Sequence, residues 1–227
     1  MKKMTRFAIC AALAALGTAS ASAFAQEQNA VRLGLANLTI HSRAPDLTSN
    51  GPAFLTPPAS LTVDNAQTLF FGYVRRINEK LDVELAAGIP PAHKVYGTGG
   101  LAPYGMISRV KQAGPAVFLN YKFGTDQDKL RPFFGVGLNY TKFFDGRSTD
   151  SNNLAAGGPT KIRLTDSVGP ALQAGLSYRF DQRWSVNGAI IVADVQSDMT
   201  ATTGSIERKT HIDFRPIVYT VCIGYHF

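Results

Sequence analysis

The chain has 227 residues, 45% of them apolar, 17% charged, and a formal net charge of +7. No later segment has eighteen consecutive apolar residues, which excludes a spanning helix beyond the N-terminal region. Two cysteines cannot make a disulfide framework, and the basic excess is too small and scattered to indicate a nucleic-acid partner.

The first element is a leader. Lys2, Lys3 and Arg6 precede a short apolar run from Phe7 to Leu16, and small residues follow. Ala21-Ser22-Ala23 and Ala23-Phe24-Ala25 both fit an A-x-A cleavage site. The second is favoured, which makes residues 1–25 a secretory signal peptide and residues 26–227 the mature domain. Cleavage removes three cations, leaving 20 Lys and Arg against 16 Asp and Glu, a balance of +4. It also removes Cys10, so Cys222 has no partner in the chain.

Eight strands are expected after the leader. Val31 to Ile40 and Thr68 to Arg75 are the first two. Leu81 to Gly88 sets Leu81, Val83, Leu85 and Ala87 against Asp82, Glu84 and Ala86. Gly114 to Phe123 alternates Val117, Leu119 and Tyr121 with Ala116, Phe118, Asn120 and Lys122. Arg131 to Lys142 alternates Phe134, Val136, Leu138 and Tyr140 with Phe133, Gly135, Gly137 and Asn139. Val168 to Phe180 alternates Leu172, Leu176 and Tyr178 with Gln173, Gly175 and Arg179. Trp184 to Val195 is the seventh, and the terminal run from Ile217 to Phe227 is the eighth. Period-two runs of this length argue for strands, because successive side chains point to opposite faces.

Short connections near residues 76–80, 124–129 and 181–182 alternate with long ones near 41–65, 90–108, 144–161 and 197–210. The long ones are read as loops from their Gly, Pro, Ser, Thr and Asn content. An even strand count with this asymmetry is the pattern of an all-β, eight-stranded antiparallel transmembrane β-barrel with short periplasmic turns and long extracellular loops. Tyr121, Phe123, Tyr178, Phe180, Trp184, Tyr225 and Phe227 gather at the short-turn end, as an interfacial girdle would. A soluble barrel would seal its interior with large apolar side chains. Here the bulk lies on one face and the glycines on the other.

The face opposite lipid holds the candidate site. Ala86, Phe118, Phe133, Ile191 and Val218 could line an apolar channel or pocket. The alternative is a filled barrel, since side chains can close an eight-stranded interior. Arg32, Asp82, Glu84, Lys122 and Arg179 are interior charges, for which ion pairs are expected, Glu84 with Arg32 or Lys122. They could form a plug or simply hold the barrel together. His41, His93, His211 and His226 show no metal spacing, and no catalytic motif or cofactor signature is present. No metal, cofactor or catalytic residue is therefore expected. His93 is the histidine most worth following, with a loop-anchoring hydrogen bond as its plain role. Cys222 reads as interior filler. The stretch Ala44 to Leu61, with Phe54, Leu55, Pro57 and Pro58, could form a lip over the mouth. Arg147, Lys161, Arg163, Arg208 and Lys209 could meet lipopolysaccharide phosphates at the outer rim.

Four stretches also carry a family resemblance: LDVELAAGIPPAHKV (81–95), LRPFFGVGLNYTKFFD (130–145), LTDSVGPALQAGLSYRFDQRWSVNGA (164–189) and the terminal IGYHF. The chain resembles the outer-membrane protein W (OmpW) family over essentially its whole mature length. The resemblance implies a Gram-negative outer-membrane barrel with a narrow interior that passes small, often hydrophobic, solutes. It implies that Tyr225 and Phe227 belong to a terminal signal read by the barrel-insertion machinery. It also implies an apolar constriction near Ala86 and Ile191, where this chain carries smaller side chains than the bulkiest versions. The expected function is passive passage of small apolar molecules, with outer-membrane lipid and lipopolysaccharide as surroundings. The rival reading is a closed structural barrel whose loops bind lipopolysaccharide, phage or host surfaces.

Overall fold

The computed structural model describes residues 28–51 and 58–227. The leader expected over residues 1–25, and Phe54, Leu55 and Pro57 of the expected lip, lie outside the described residues. The strands are β1 (Asn29–Ile40), β2 (Thr48–Ser49), β3 (Ala59–Val63), β4 (Ala66–Arg76), β5 (Leu81–Gly88), β6 (Ala92–Gly99), β7 (Met106–Ala113), β8 (Ala116–Lys122), β9 (Leu130–Ser148), β10 (Thr160–Leu164), β11 (Ser167–Arg179), β12 (Trp184–Ala193), β13 (Gln196–Thr203), β14 (Ile206–Asp213) and β15 (Pro216–His226). One short helix, α1 (Asp150–Ala156), follows β9 and is capped by Thr149, whose hydroxyl accepts from the Asn152 amide at 3.2 Å.

Eight of these strands close a barrel in the order β1-β4-β5-β8-β9-β11-β12-β15, all neighbours antiparallel. β15 returns to β1 in a register that runs from Ala30 opposite His226 to Ile40 opposite Pro216. Closure leaves no free edge, so every barrel strand has two ladders for its backbone groups. The eight expected strands are the eight barrel strands, with ends displaced by a few residues.

The alternation fixes which way each side chain points. Leu33, Leu35, Leu138, Val168, Leu176, Val221 and Ile223 are more than half exposed on the outer wall. Such a belt of exposed aliphatic residues suits lipid, not water. At the short-turn end Trp184 packs edge-on to Tyr225 (centroids 5.0 Å apart), and Tyr225 lies over Phe227 (6.3 Å). These rings form part of the expected girdle.

Among the described residues the four long connections, expected as loops, carry strands of their own. They build a second tier of sheet on the barrel. β9 runs through both tiers, 19 residues or roughly 60 Å at about 3.3 Å per residue. Above the barrel it carries β10, β13, β14 and β2 on one side and β7, β6 and β3 on the other. Here the polarity of the wall inverts. Leu61, Val63, Val95, Val110, Phe143, Met199, Ile212 and Phe214 point inward and are buried. Lys94, Arg109, Lys111, Lys142, Lys161 and Lys209 point outward. Phe143 stacks on Phe214 with centroids 5.0 Å apart. Below about Tyr140 the wall faces lipid and puts its apolar side out. Above it the wall faces water and turns the apolar side in.

Candidate functional site

The lower half of the lumen is filled by a polar cluster centred on β5. Asp82 and Glu84 point inward at alternate positions and are 0% and 1% exposed. The Arg32 guanidinium donates to Glu84 through Nη1 at 2.8 Å, and Asn120 and Gln173 donate to the other carboxylate oxygen, both at 3.0 Å. Lys122 Nζ lies 2.6 Å from Asp82, which also accepts from Asn120 at 2.8 Å. Gln173 Nε2 closes the ring onto Asn120 Oδ1 at 2.6 Å. The buried charges are thus paired, and the amides of Asn120 and Gln173 supply the hydrogen bonds that paired ions need when water is excluded.

Space for the cluster comes from β9. A Cβ on Gly135 would fall 2.1 Å from Asn120 Oδ1, and one on Gly137 would fall 2.2 Å from the Val117 carbonyl oxygen. Phe118 fits against Gly137 with no exposed surface. Arg32 also sits 5.6 Å from the centroid of the Phe133 ring, a cation–π contact.

A second layer of charge lies at the short-turn mouth. Arg131 Nη1 donates to Asp126 at 2.7 Å and its Nη2 to the Glu79 carbonyl at 2.8 Å, while Arg76 pairs with the other Asp126 oxygen. Burial alone would raise the Asp126 carboxyl, but Arg76 and Arg131 outweigh it and hold the group below the ordinary carboxylate range. Arg179 is half-buried at the same mouth, together with Lys122 and His226.

Above the cluster is a cavity of about 100 Å³. Ala86, Ala116, Ala171, Ile191 and Val218 line it, with Gln112, Asn139 and Thr141 as its polar members. It reaches the wall at Gly88, Ile89 and Pro91, and Ile89 is 49% exposed on the molecular surface. A smaller apolar cavity of about 20 Å³ lies in the upper tier between Leu61, Val110, Phe143 and Phe214. Gln112 lines both. His93 lines the upper one and is 4% exposed. Its Nδ1 faces the Asp64 carbonyl at 3.2 Å, which can only accept, so Nδ1 carries the proton. Burial pushes the His93 imidazolium down, outweighing the Asp64 contact, and keeps the ring neutral.

The structure therefore divides the expected site residues. Ala86, Ile191 and Val218 line the larger cavity. Phe118 and Phe133 do not; they lie closer to the short-turn end and fill the lumen around the charge cluster. Arg32, Asp82, Glu84 and Lys122 are brought together, with Arg179 nearer the mouth. Cys222 is buried with its Sγ 3.7 Å from the Asn187 carbonyl. Of the expected rim cations, Arg147, Lys161, Arg163 and Lys209 are exposed, whereas Arg208 points inward, is 5% exposed and reaches Thr203 Oγ1 at 3.2 Å. Arg208 is even-numbered on β14, and it shares the inward face with Thr210 and Ile212. Asn120, Gln173, Arg131 and Gln112 were missed as site residues. Asn120 and Gln173 carried a usable signal, each being a polar residue on the inward face of a clean alternation.

Comparison with known proteins gives a consistent result. The family model described as "OmpW family" matches residues 27–227. Outer membrane protein W of Vibrio cholerae serotype O1 is 30% identical over 96% of both chains. A Pseudomonas aeruginosa protein named for a dibenzothiophene metabolism operon, PahQ, is 28% identical over 86% of this chain and 87% of its own. The crystal structure of the outer membrane protein OprG from Pseudomonas aeruginosa superposes with a TM-score of 0.80 at 26% identity, covering 88% of this chain and 96% of that one.

Proposed function

The chain belongs to the OmpW family of integral Gram-negative outer-membrane barrels, and from that premise we propose that it gives passive passage to small apolar molecules through the upper lumen and out through its wall. The family is one of barrel proteins and not of enzymes. The observation that carries the proposal is the stacking of an apolar-lined cavity on a sealed charge cluster. An apolar solute that reaches the cavity between Ala86, Ile191 and Val218 meets the buried ions of Asp82 and Glu84 below. Pushing those ions apart would expose unpaired buried charge, which costs several kcal/mol. The sideways route past Gly88, Ile89 and Pro91 leads to surrounding lipid and breaks no ion pair. The dibenzothiophene operon relative supports an apolar, aromatic-sized solute.

On the same reading Tyr225 and Phe227 contribute to the signal that the barrel-insertion machinery recognises, and the lipid belt is the barrel's permanent partner. The test is uptake of dibenzothiophene by cells lacking the chain, producing it, or producing the Ala86→Phe variant. Phenylalanine at 86 would occupy the cavity from the inward face. Production of the chain should speed uptake several-fold, and Ala86→Phe should bring it back toward the level without the chain. Equal uptake in all three would leave the closed, purely structural barrel as the correct account.

A further inference from the structure

Four cations stand in one row across four neighbouring strands of the upper tier. The ladders set Lys94 opposite Arg109, Arg109 opposite Arg147, and Arg147 opposite Lys161. All four side chains are exposed on the outer wall. Like charges placed directly opposite one another repel, so a sheet with no partner disfavours such a row. Two more exposed cations continue the patch toward the lipid belt. Lys142 follows the lipid-facing Tyr140 by two residues on β9, and Lys111 stands opposite Phe144 on the same strand.

Among the described residues Asp145 is the one carboxylate these six reach, 3.0 Å from Lys111 Nζ and 2.8 Å from Arg147 Nε. Among the described residues no carboxylate lies within ion-pair distance of Lys94, Arg109, Lys142 or Lys161. The flank made by β13 and β14 behaves differently. There Lys209 pairs with Glu207 at 2.9 Å, and His211 lies between Asp198 at 2.7 Å and Asp213 at 3.5 Å. That flank neutralises itself, as an ordinary solvated rim does. The β6-β7-β9-β10 flank does not.

The missing counter-charge must come from beside the wall, just above the lipid belt. We propose that Lys94, Arg109, Lys111, Lys142, Arg147 and Lys161 bind the phosphate groups of lipopolysaccharide in the surrounding outer leaflet. At about 4.8 Å between strands, the four-cation row spans about 15 Å, long enough to meet more than one phosphate. The two arginines can each grip a phosphate with two parallel N–H bonds. Lys142 and Lys111 sit lower, nearer the acyl chains. The proposal rests on the outer-membrane setting and not on solute passage, so either can fail alone.

The experiment measures binding of purified lipopolysaccharide, and of the same lipid with its phosphates removed, to the full barrel in detergent. The test variant carries Lys94→Gln, Arg109→Gln, Arg147→Gln and Lys161→Gln. The control carries Lys209→Gln and His211→Gln on the other flank. The fourfold variant should bind intact lipopolysaccharide at least about tenfold more weakly than wild type, given that each cation near an anionic surface contributes measurably. The control should bind as wild type does, and the dephosphorylated lipid should bind wild type as weakly as the intact lipid binds the variant. Without lipid, the variant should melt no lower than wild type, since repulsion has been removed. Added lipopolysaccharide should raise the melting temperature of wild type more. Unchanged affinity in the fourfold variant, an equal loss in the control, or tight binding of the dephosphorylated lipid would overturn the proposal. Displacement of the lipid by millimolar inorganic phosphate, or tighter binding of a soluble sulfated polysaccharide, would overturn it in favour of a free-anion site.

Discussion

At the scale of single residues the barrel is governed by Glu84. Its two carboxylate oxygens are shared among Arg32, Asn120 and Gln173, all inside the lumen. Removing the carboxylate strands a guanidinium that is 7% exposed. Glu84→Ala should therefore destabilise the barrel by about 3–5 kcal/mol in urea unfolding from lipid vesicles, whereas Glu84→Gln, which keeps the shape, should cost less. A loss under about 1 kcal/mol would mean that water or a rearranged side chain relieves Arg32. The pairing of Glu84 with Arg32 could be anticipated, because counting positions in a strand of period two gives the face of each charge. The roles of Phe118 and Phe133 could not. Their inward direction followed from alternation, but whether an aromatic ring lines a space or fills it depends on depth along the barrel and on the glycine opposite, Gly137 for Phe118 and Gly175 for Phe133. Those are cross-strand facts, set by registers such as Phe118 opposite Gly137. The inward turn of Arg208 was hidden for the same reason, since it needed the register of a hairpin that had been read as a loop.

At the scale of elements the main departure from the sequence reading is the upper tier. Thr and Ser make up half of β13 and two of the five residues of β3, and Gly, Pro, Ser, Thr and Asn are frequent in the connections around them, so composition suggested loops. The alternation was present in Leu61 and Val63, in Val110 and Gln112, and in Ser197, Met199 and Ala201. It ran with the apolar side facing inward, opposite in sense to the barrel strands, and in pieces of five to eight residues. A search tuned to long, lipid-facing strands passes over such pieces. The tier has its own core, in which Phe214 stacks on Phe143. Phe214→Ala should remove about 3–5 kcal/mol of local stability. Hydrogen exchange should quicken in β13 and β14 while amides of β1, β12 and β15 stay protected. Uniform acceleration through both tiers would show instead that the two tiers open as one unit.

At the scale of the whole molecule, charge and apolar space are kept on different levels. The ion cluster closes the lumen between the cavity and the short-turn mouth, so the barrel should show no steady ion conductance in planar bilayers even where it speeds apolar uptake. Regular conductance steps in wild type would mean that the cluster opens, and the sideways route would lose its physical reason. The seam between β1 and β15 bears on how such a molecule comes to exist. Asn29 and Phe227 exchange two backbone bonds, at 2.9 and 2.8 Å, so Phe227 is held by the first residue of β1. It is this β15–β1 pairing that closes the ring of eight strands. Until β15 meets β1, one edge of each stays unpaired. The barrel strands therefore have their full set of backbone partners only once β15 has met β1. Closing the ring and completing the backbone ladders of the whole barrel are therefore one and the same step.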